Sequence, residues 1–459
     1  MNKKRIGFIA GILVFIAIEL IPLGGLSAKG KTDLALSLMT VVFWACQVAQ
    51  PAFTGGLYLM LLIIMNVATP AQVFSSSWTG STMWLVIGAY LIAGAVRDSG
   101  LGERIAYAFI IRFVRSWNSI IISIFVLTGI LSLLIPHPWP RAFLIMSVMG
   151  VVAESAHMPD VDKAKLGLAT FAASCPLSGM FLTGDTSLNP LAVQDSGVSV
   201  SFLRYFEIMS VPMIIAAIIT MVLIMVLFKP TKPVNINMEV LKKKQQSLGK
   251  MSGNEKRVIV WLIIAITLWL TSSLTGINVG WITLGVAVLM SMPVVGEVLT
   301  ADSWSGVPIN VLVFLTSAIA IGTVGGVTGM NKWIANTILP SSLPHNLFLL
   351  AILITVFAMI IHMFMGSVIA VMGITIPAIV AATSSMGISP LAVSLLVFSV
   401  VNLHYILPFH NLAVLVGSDP KTGGGYTQKD VMRLGIPLTG VMFIVAVVEI
   451  AWWYIIGLV

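Results

Sequence analysis

Apolar runs separated by short polar gaps fill this chain from end to end. They lie near residues 6–24, 35–47, 53–68, 82–97, 119–135, 142–155, 165–182 and 206–228, and again near 257–275, 281–296, 309–326, 346–363, 370–384, 391–407 and 432–458. At about 1.5 Å of rise per residue, several are too short to cross a hydrocarbon layer alone. The pairs 119–135 with 142–155 and 346–363 with 370–384 therefore predict helical hairpins that enter and leave on one side.

Four interruptions stand out inside these runs. Ile135-Pro136-His137-Pro138-Trp139-Pro140-Arg141 sets three prolines and two basic side chains in apolar surroundings, and Met363-Phe364-Met365-Gly366-Ser367 breaks the matching later run. Thr183-Gly184-Asp185-Thr186-Ser187-Leu188-Asn189 and Leu407-Pro408-Phe409-His410-Asn411 follow at similar distances. Bare amides and carbonyls cost several kcal/mol each in hydrocarbon, so broken backbone persists there only where protein or a watery cavity covers it. The tips 135–141 and 363–369 and the breaks 183–189 and 407–411 form the candidate site.

Composition then fixes the class. With 58% hydrophobic and 9% charged residues and a mean hydropathy of +1.03, the chain has too little polar surface for a soluble globule of its length. It reads as an all-α polytopic membrane protein embedded in a lipid bilayer. The basic start followed by apolar residues to Leu23 is long for a signal peptide and is taken as the first spanning helix. Cys46 and Cys175 sit in apolar runs and imply neither a disulfide framework nor a thiolate metal site.

The net charge of +8 does not signal nucleic acid, because the cations gather in loops: eight Lys and Arg lie between Lys229 and Arg257. The positive-inside rule places that loop and the Lys3-Lys4-Arg5 terminus in the cytoplasm. About six spans before the loop satisfy this, and a total of about eleven puts the C-terminus outside.

The halves carry a faint duplication. Phe43-Trp44 pairs with Leu268-Trp269, Ser77-Trp78-Thr79-Gly80 with Ser303-Trp304-Ser305-Gly306, Ser99-Gly100-Leu101 with Thr328-Gly329-Met330, and Asn189 with Asn411, at nearly constant separation. The expected organisation is an N-terminal helix (1–29), a first repeat (30–230), a basic cytoplasmic loop (231–255) and a second repeat (256–459). An odd number of spans per repeat inverts the second. Inverted repeats with paired broken segments mark a secondary transporter whose substrate binds near the midplane.

A half-helix starting at a break aims unpaired N–H groups at the cavity and favours small anions, carboxylates above all. Arg141 adds a guanidinium able to grip a carboxylate with two bonds, although an arginine at a helix end also snorkels to head groups. His137 reads as a ligand-binding cation, a proton carrier or a hydrogen-bonded tip residue. Asp185, the sole acid between Asp162 and Asp195, pairs with Arg141 or His137 or caps the helix begun at its break. Asn189 and Asn411 cap half-helices, bind ligand, or both, and His404, Tyr405 and His410 flank the last break. The candidate substrate contacts are His137, Trp139, Arg141, Asp185, Thr186, Ser187, Asn189, Gly366, Ser367, Pro408, His410 and Asn411. No spacing supports a metal centre, a cofactor, a Walker loop or a catalytic pair.

At these residues the chain resembles the divalent anion:sodium symporter family of di- and tricarboxylate carriers. Leu407-Pro408-Phe409-His410-Asn411-Leu412-Ala413-Val414-Leu415-Val416-Gly417-Ser418, followed by Gln428-Lys429-Asp430, is similar to that family's C-terminal Thr-Pro-Pro-Asn signature and the helix start after it. Asp185-Thr186-Ser187-Leu188-Asn189 is similar to its first copy. The resemblance implies two inverted repeats, each with a re-entrant hairpin and a broken helix, elevator-like movement, and a homodimer whose scaffold includes segments near 82–97 and 309–326.

The departures from that pattern are informative. Family hairpin tips carry Ser-Asn-Thr, which hold substrate carboxylates and sodium. Here the first tip reads His137-Pro138-Trp139 and the second Ser367-Val368-Ile369. A hard cation needs oxygen ligands, which puts at least the first sodium site in doubt. Arg141 stands where the family's exchanger branch carries an arginine, and a fixed cation replaces the charge that sodium supplies. An unneutralised fixed charge is costly to return empty through hydrocarbon, so sodium-independent exchange of C4–C5 dicarboxylates at the plasma membrane is the favoured expectation. A sodium- or proton-coupled symporter is the nearest rival, an anion channel the next, and a receptor or intramembrane enzyme the most distant.

Overall fold

A computed structural model of the chain describes residues 3–338, 343–364, 368–406, 410, 411, 414, 417, 418 and 424–459. The described chain is helical, without a strand. Gly366, Ser367 and Pro408 lie outside the described residues, as do parts of the 363–369 tip and the 407–411 break.

The first half runs α1 (Lys3–Leu20), α2 (Ala28–Ala45), α3 (Pro51–Ile64), α4 (Pro70–Trp78), α5 (Thr82–Asp98), α6 (Leu101–Phe113), α7 (Trp117–Leu134), α8 (Pro138–Ser155), α9 (Asp160–Ser178), α10 (Asn189–Ser196) and α11 (Phe202–Leu227). After α12 (Met238–Ser247) come α13 (Gly253–Leu270), α14 (Ser272–Thr275), α15 (Val279–Leu289), α16 (Ile309–Thr328), α17 (Met330–Ile338), α18 (Leu347–Phe364), α19 (Val368–Thr383), α20 (Pro390–Leu403) and α21 (Gln428–Ile455).

Local chemistry sets the starts of these helices. Thr69 with Gln72, Ser116 with Ser119, Ser252 with Glu255 and Thr427 with Asp430 form reciprocal capping boxes that satisfy the first amides of α4, α7, α13 and α21. Pro51, Pro70, Pro138 and Pro390 stand in the first turns of α3, α4, α8 and α20, where a missing N–H costs nothing. The second arm of the first hairpin consequently begins at Pro138, four residues earlier than its apolar run. His137 caps it, and Pro138 and Pro140 fit a first turn that hydropathy alone does not count as helix. The basic loop likewise contains a helix, α12, capped by Asn237 and anchored by the buried Leu241 against α6 and α8.

Among the described residues, α7, α11, α16, α19 with its short 3-10 extension, and α21 are each long and apolar enough to cross a membrane. Helices α4 and α5, bent by 45° at their junction, make a sixth span if taken together. The expected total of about eleven draws also on shorter apolar helices such as α3, α15, α18 and α20.

The packing is reciprocal between the halves and repeats within them. Helix α5 packs on α15 while α16 packs on α3; α11 lies against α21; and α7 packs on α9 as α18 packs on α20. Gly100 and Gly329 end α5 and α16 with φ of +80° and +82°, a backbone that side-chain-bearing residues rarely adopt. The α5–α15 contact is close: a Cβ on Gly88 would sit 2.8 Å from backbone atoms of Thr283 and Leu284. Gly88→Ala is therefore expected to cost about 1–3 kcal/mol by overpacking, seen as a lower melting temperature of the purified protein. An unchanged melting temperature would show that α5 and α15 slide apart freely.

Candidate functional site

A cavity of about 1130 Å³ enters the bundle beside Lys4, Arg97 and Glu103 and reaches inward to Ser178, Asn402 and Asn411. Four broken elements wall it: the tip between α7 and α8, the irregular segment between α9 and α10, the start of α19 at Val368 and Ile369, and the segment after α20.

The first tip contributes His137, Pro138, Trp139 and Pro140 to the wall. His137 Nδ1 accepts the Trp139 amide at 3.3 Å, and its ring lies 4.9 Å from that of Tyr90 and 5.5 Å from that of Trp139. It is at once a helix cap and a cavity residue, because the cap position is the tip.

Arg141, one helical turn further, is fully buried and points behind the wall. Its Nη1 donates to Ile135 O at 2.9 Å and to Gly184 O at 3.3 Å, and its Nη2 donates to the Ser178 hydroxyl. One planar fork thus ties the hairpin tip to the end of α9 and to the irregular segment that follows it, a geometry that suits guanidinium and not ammonium. The expected partner, Asp185, lies within its field but forms no direct ion pair with it.

The α9–α10 break is made locally. Pro176 stands in the last turn of α9, where its ring removes a ladder bond. Gly184 then folds back so closely that a Cβ there would meet Ser178 O at 2.4 Å. Asp185 Oδ1 accepts the amides of Ser187 (2.9 Å) and Leu188 (3.1 Å), so it caps the turn into α10. Asn189 Nδ2 donates to Ser178 O at 2.8 Å and Phe181 O at 2.7 Å, closing carbonyls that the end of α9 leaves without helical partners. Thr183 and Thr186 hydroxyls and Asn189 Oδ1 are buried oxygens with no hydrogen-bond partner among the described residues.

The matched Asn411 does comparable work at the second break, donating from Nδ2 to Asn402 O at 3.1 Å. Asn402 in turn donates to Cys175 O at 2.9 Å, joining the two broken helices across the cavity floor. His410 belongs to a buried group with His362 and His404: His362 Nε2 lies 2.9 Å from His410 O, and His404 Nδ1 3.4 Å from His362 Nδ1.

The structure therefore brings His137, Trp139, Asp185, Ser187 and Asn411 to the cavity wall. Arg141, Thr186, Asn189 and His410 lie behind it, and Gly366, Ser367 and Pro408 fall outside the described residues. Sequence reasoning missed Tyr90, Ser174, Ser178, Asn402 and His362. Ser178 and Asn402 had a readable signal, a polar side chain just before a break; Tyr90 had none, because only the fold carries α5 to the tip. Among the described residues no three His, Cys, Asp or Glu side chains assemble as a metal-ligand set.

This arrangement, broken helices tied to one another by side chains around a partly polar cavity, can be set beside known proteins. The family profile described as "Sodium:sulfate symporter transmembrane region" matches residues 2–459. The sodium-dependent dicarboxylate transporter SdcS of Staphylococcus saprophyticus is 25% identical over 284 residues, covering 58% of this chain and 54% of its own. Dicarboxylate transporter 1, chloroplastic, of Spinacia oleracea is 29% identical over 304 residues, covering 62% and 52%. The match to each of these transporters thus spans about half of the relative's length. A membrane protein of Cupriavidus necator is 22% identical over 460 residues, covering 94% and 89%. Among solved structures, the YdaH transporter of Alcanivorax borkumensis matches with a TM-score of 0.51 at 14% identity, over 93% of this chain and 98% of that one, a likeness of fold. Because the family profile runs almost from end to end of a multi-pass helical membrane protein, the chain belongs to the sodium:sulfate symporter transmembrane family, the divalent anion:sodium symporters.

Proposed function

We propose that the protein carries C4–C5 dicarboxylates such as 2-oxoglutarate, succinate, malate and fumarate across the plasma membrane, exchanging one dianion for another without sodium. The observation that carries this reading is Arg141. A guanidinium locked between the hairpin tip and the first break, donating to Ile135 O, Gly184 O and Ser178 Oγ, is a fixed cation that fills carbonyl oxygens a hard cation would otherwise use. Its charge cannot leave, so return of the empty carrier is disfavoured and exchange is the favoured cycle.

The reciprocal packing of α5 on α15 and α16 on α3, with the parallel succession of elements, supports two inverted repeats over 30–230 and 256–459. In this reading the hairpins and broken helices move together as an elevator within a homodimer. The cavity opens beside Lys4, so a cytoplasmic N-terminus makes this state inward-facing, with the C-terminus outside.

The test is uptake of labelled succinate or 2-oxoglutarate into proteoliposomes, with and without internal dicarboxylate, in sodium and in choline buffers. The expected result is uptake that requires internal substrate and is the same in both buffers. Uptake into empty vesicles driven by a sodium gradient would replace exchange with symport. One observation favours that second reading: the unpartnered oxygens of Thr183, Thr186 and Asn189 beside the first break are hard ligands of the kind sodium takes. SdcS is named sodium-dependent. Current without a countersubstrate would instead indicate a channel.

A further inference from the structure

Helix α21 holds one acid in its apolar interior, Glu449, fully buried. Its Oε1 accepts the Ser399 hydroxyl of α20 at 2.5 Å, and its Oε2 has no hydrogen-bond partner among the described residues. From α11, the Tyr205 hydroxyl is also buried and without a hydrogen-bond partner among those residues. Tyr205 lies within the electrostatic field of both Glu449 and Asp185. The other helix packed on α21, α18, brings no titratable group into the field of this carboxyl, and no Lys, Arg or His acts on it among the described residues.

An ionised carboxylate in such a place carries the cost of a bare charge in hydrocarbon, and natural membrane proteins keep such acids where they do a task. The surroundings suit the neutral acid, which needs one hydroxyl donor and no cation. Ser399 lies one turn before Asn402, the residue that joins the two broken helices, so Glu449 touches the same helix that floors the cavity. On the cavity wall Asp185 already occupies the amides of Ser187 and Leu188. An incoming dianion therefore meets the like charge of Asp185, and a neutral Glu449 adds no further negative charge to the bundle.

We propose that Glu449 is a proton-binding site of the carrier, linked through Ser399 and α20 to the cavity floor at Asn402, and that the carrier moves its dianion only while Glu449 is neutral. The inference rests on the transporter reading and adds the proton to it. The proton sits on the Glu449 carboxyl in the empty and the loaded carrier and is lost to water only as the pH rises, so that no net redox or covalent change occurs.

The experiment is labelled succinate exchange in proteoliposomes at equal internal and external pH, stepped from about 5.5 to about 8.5, for wild type and Glu449→Gln. Where Glu449 titrates, wild-type exchange is expected to fall by up to about tenfold per pH unit on the alkaline side, since rate follows the neutral fraction. Glu449→Gln, locked in the neutral shape, is expected to lose that fall. Identical profiles in the two proteins overturn the proposal, whether or not exchange itself needs internal substrate, and that requirement tests the transporter cycle separately. Infrared difference spectra of wild type against Glu449→Gln give a readout that does not need transport. A protonated-acid band at neutral pH, absent from the variant, supports the site, and a carboxylate band in its place overturns it.

Discussion

Arg141→Ala is expected to reduce transport by at least about a hundredfold and to lower the melting temperature of the purified protein by several degrees. The guanidinium satisfies Ile135 O, Gly184 O and Ser178 Oγ at once, all inside the bundle. Ile135 O keeps the His137 amide, so two buried acceptors, Gly184 O and Ser178 Oγ, lose this donor; at about 1–3 kcal/mol each the gross loss is about 2–6 kcal/mol, reduced where water enters the space left behind. Even about 3 kcal/mol spent on mispositioning the tip against the break is worth more than a hundredfold in rate. The comparison that matters is Arg141→Lys. A lysine restores the charge but not the planar fork, so it is expected to recover part of the stability and little of the transport. Full transport by Arg141→Lys would show that charge alone is needed. Normal stability of Arg141→Ala would remove the clamp from the account.

Asn189→Leu is the second large effect, a change that keeps shape and removes both donors of the amide. Ser178 O then loses its partner in a place where helix α9 has already ended, while Phe181 O keeps the Gly184 amide. About 1–3 kcal/mol of destabilisation follows from the orphaned Ser178 carbonyl and about 0.5–1.5 kcal/mol from the lost second bond to Phe181 O, together with loss of uptake as the break loosens. Asn402→Leu removes the bond to Cys175 O and is expected to cost about 1–3 kcal/mol. Thermal unfolding of the three proteins in detergent, read beside proteoliposome uptake, checks the order. If Asn189→Leu unfolds like wild type, the break is held by its backbone turns alone.

These two residues show how differently a site residue can be legible. Asn189 declared itself by its repeat partner Asn411 and its place in a break, and the structure gives it a capping task that the sequence had named as one of its options. Arg141 declared itself by charge in an apolar run, yet its direction was not readable. A side chain one turn into a helix faces the cavity or its back wall depending on how that helix is rotated, and rotation is set by packing against α6, α7 and α9. Asp185 was the reverse case: its capping of Ser187 and Leu188 is local, spanning two and three residues, and was open to sequence reasoning.

The residues that sequence reasoning missed share one property, dependence on distant segments. Tyr90 reaches the tip only because α5 passes beside it, with its ring 4.9 Å from that of His137. Asn402 matters because its amide meets Cys175 O across 227 positions of chain. His362 joins His404 and His410 because α18 packs on α20. Glu449, an acid in an apolar run, was also passed over, and its neighbours Tyr205 and Ser399 are supplied by α11 and α20.

By itself the sequence determined that this chain is a multi-pass bundle of helices, where its long apolar helices lie within a few residues, and that breaks separate α7 from α8 and α9 from α10; the less apolar α4, α6, α10, α12 and α17 left no run to read. Each of these follows from local terms: the transfer energy of apolar runs, the missing amide of proline, and the capping power of Ser, Thr, Asp and Asn. Only the tertiary structure decided that the breaks surround one cavity, that Arg141 holds its wall from behind while His137 and Trp139 face it, and that Glu449 lies within reach of the same elements. Those outcomes depend on helix rotation and on contacts between segments far apart in the chain, which the packing of the whole bundle selects and no local pattern encodes.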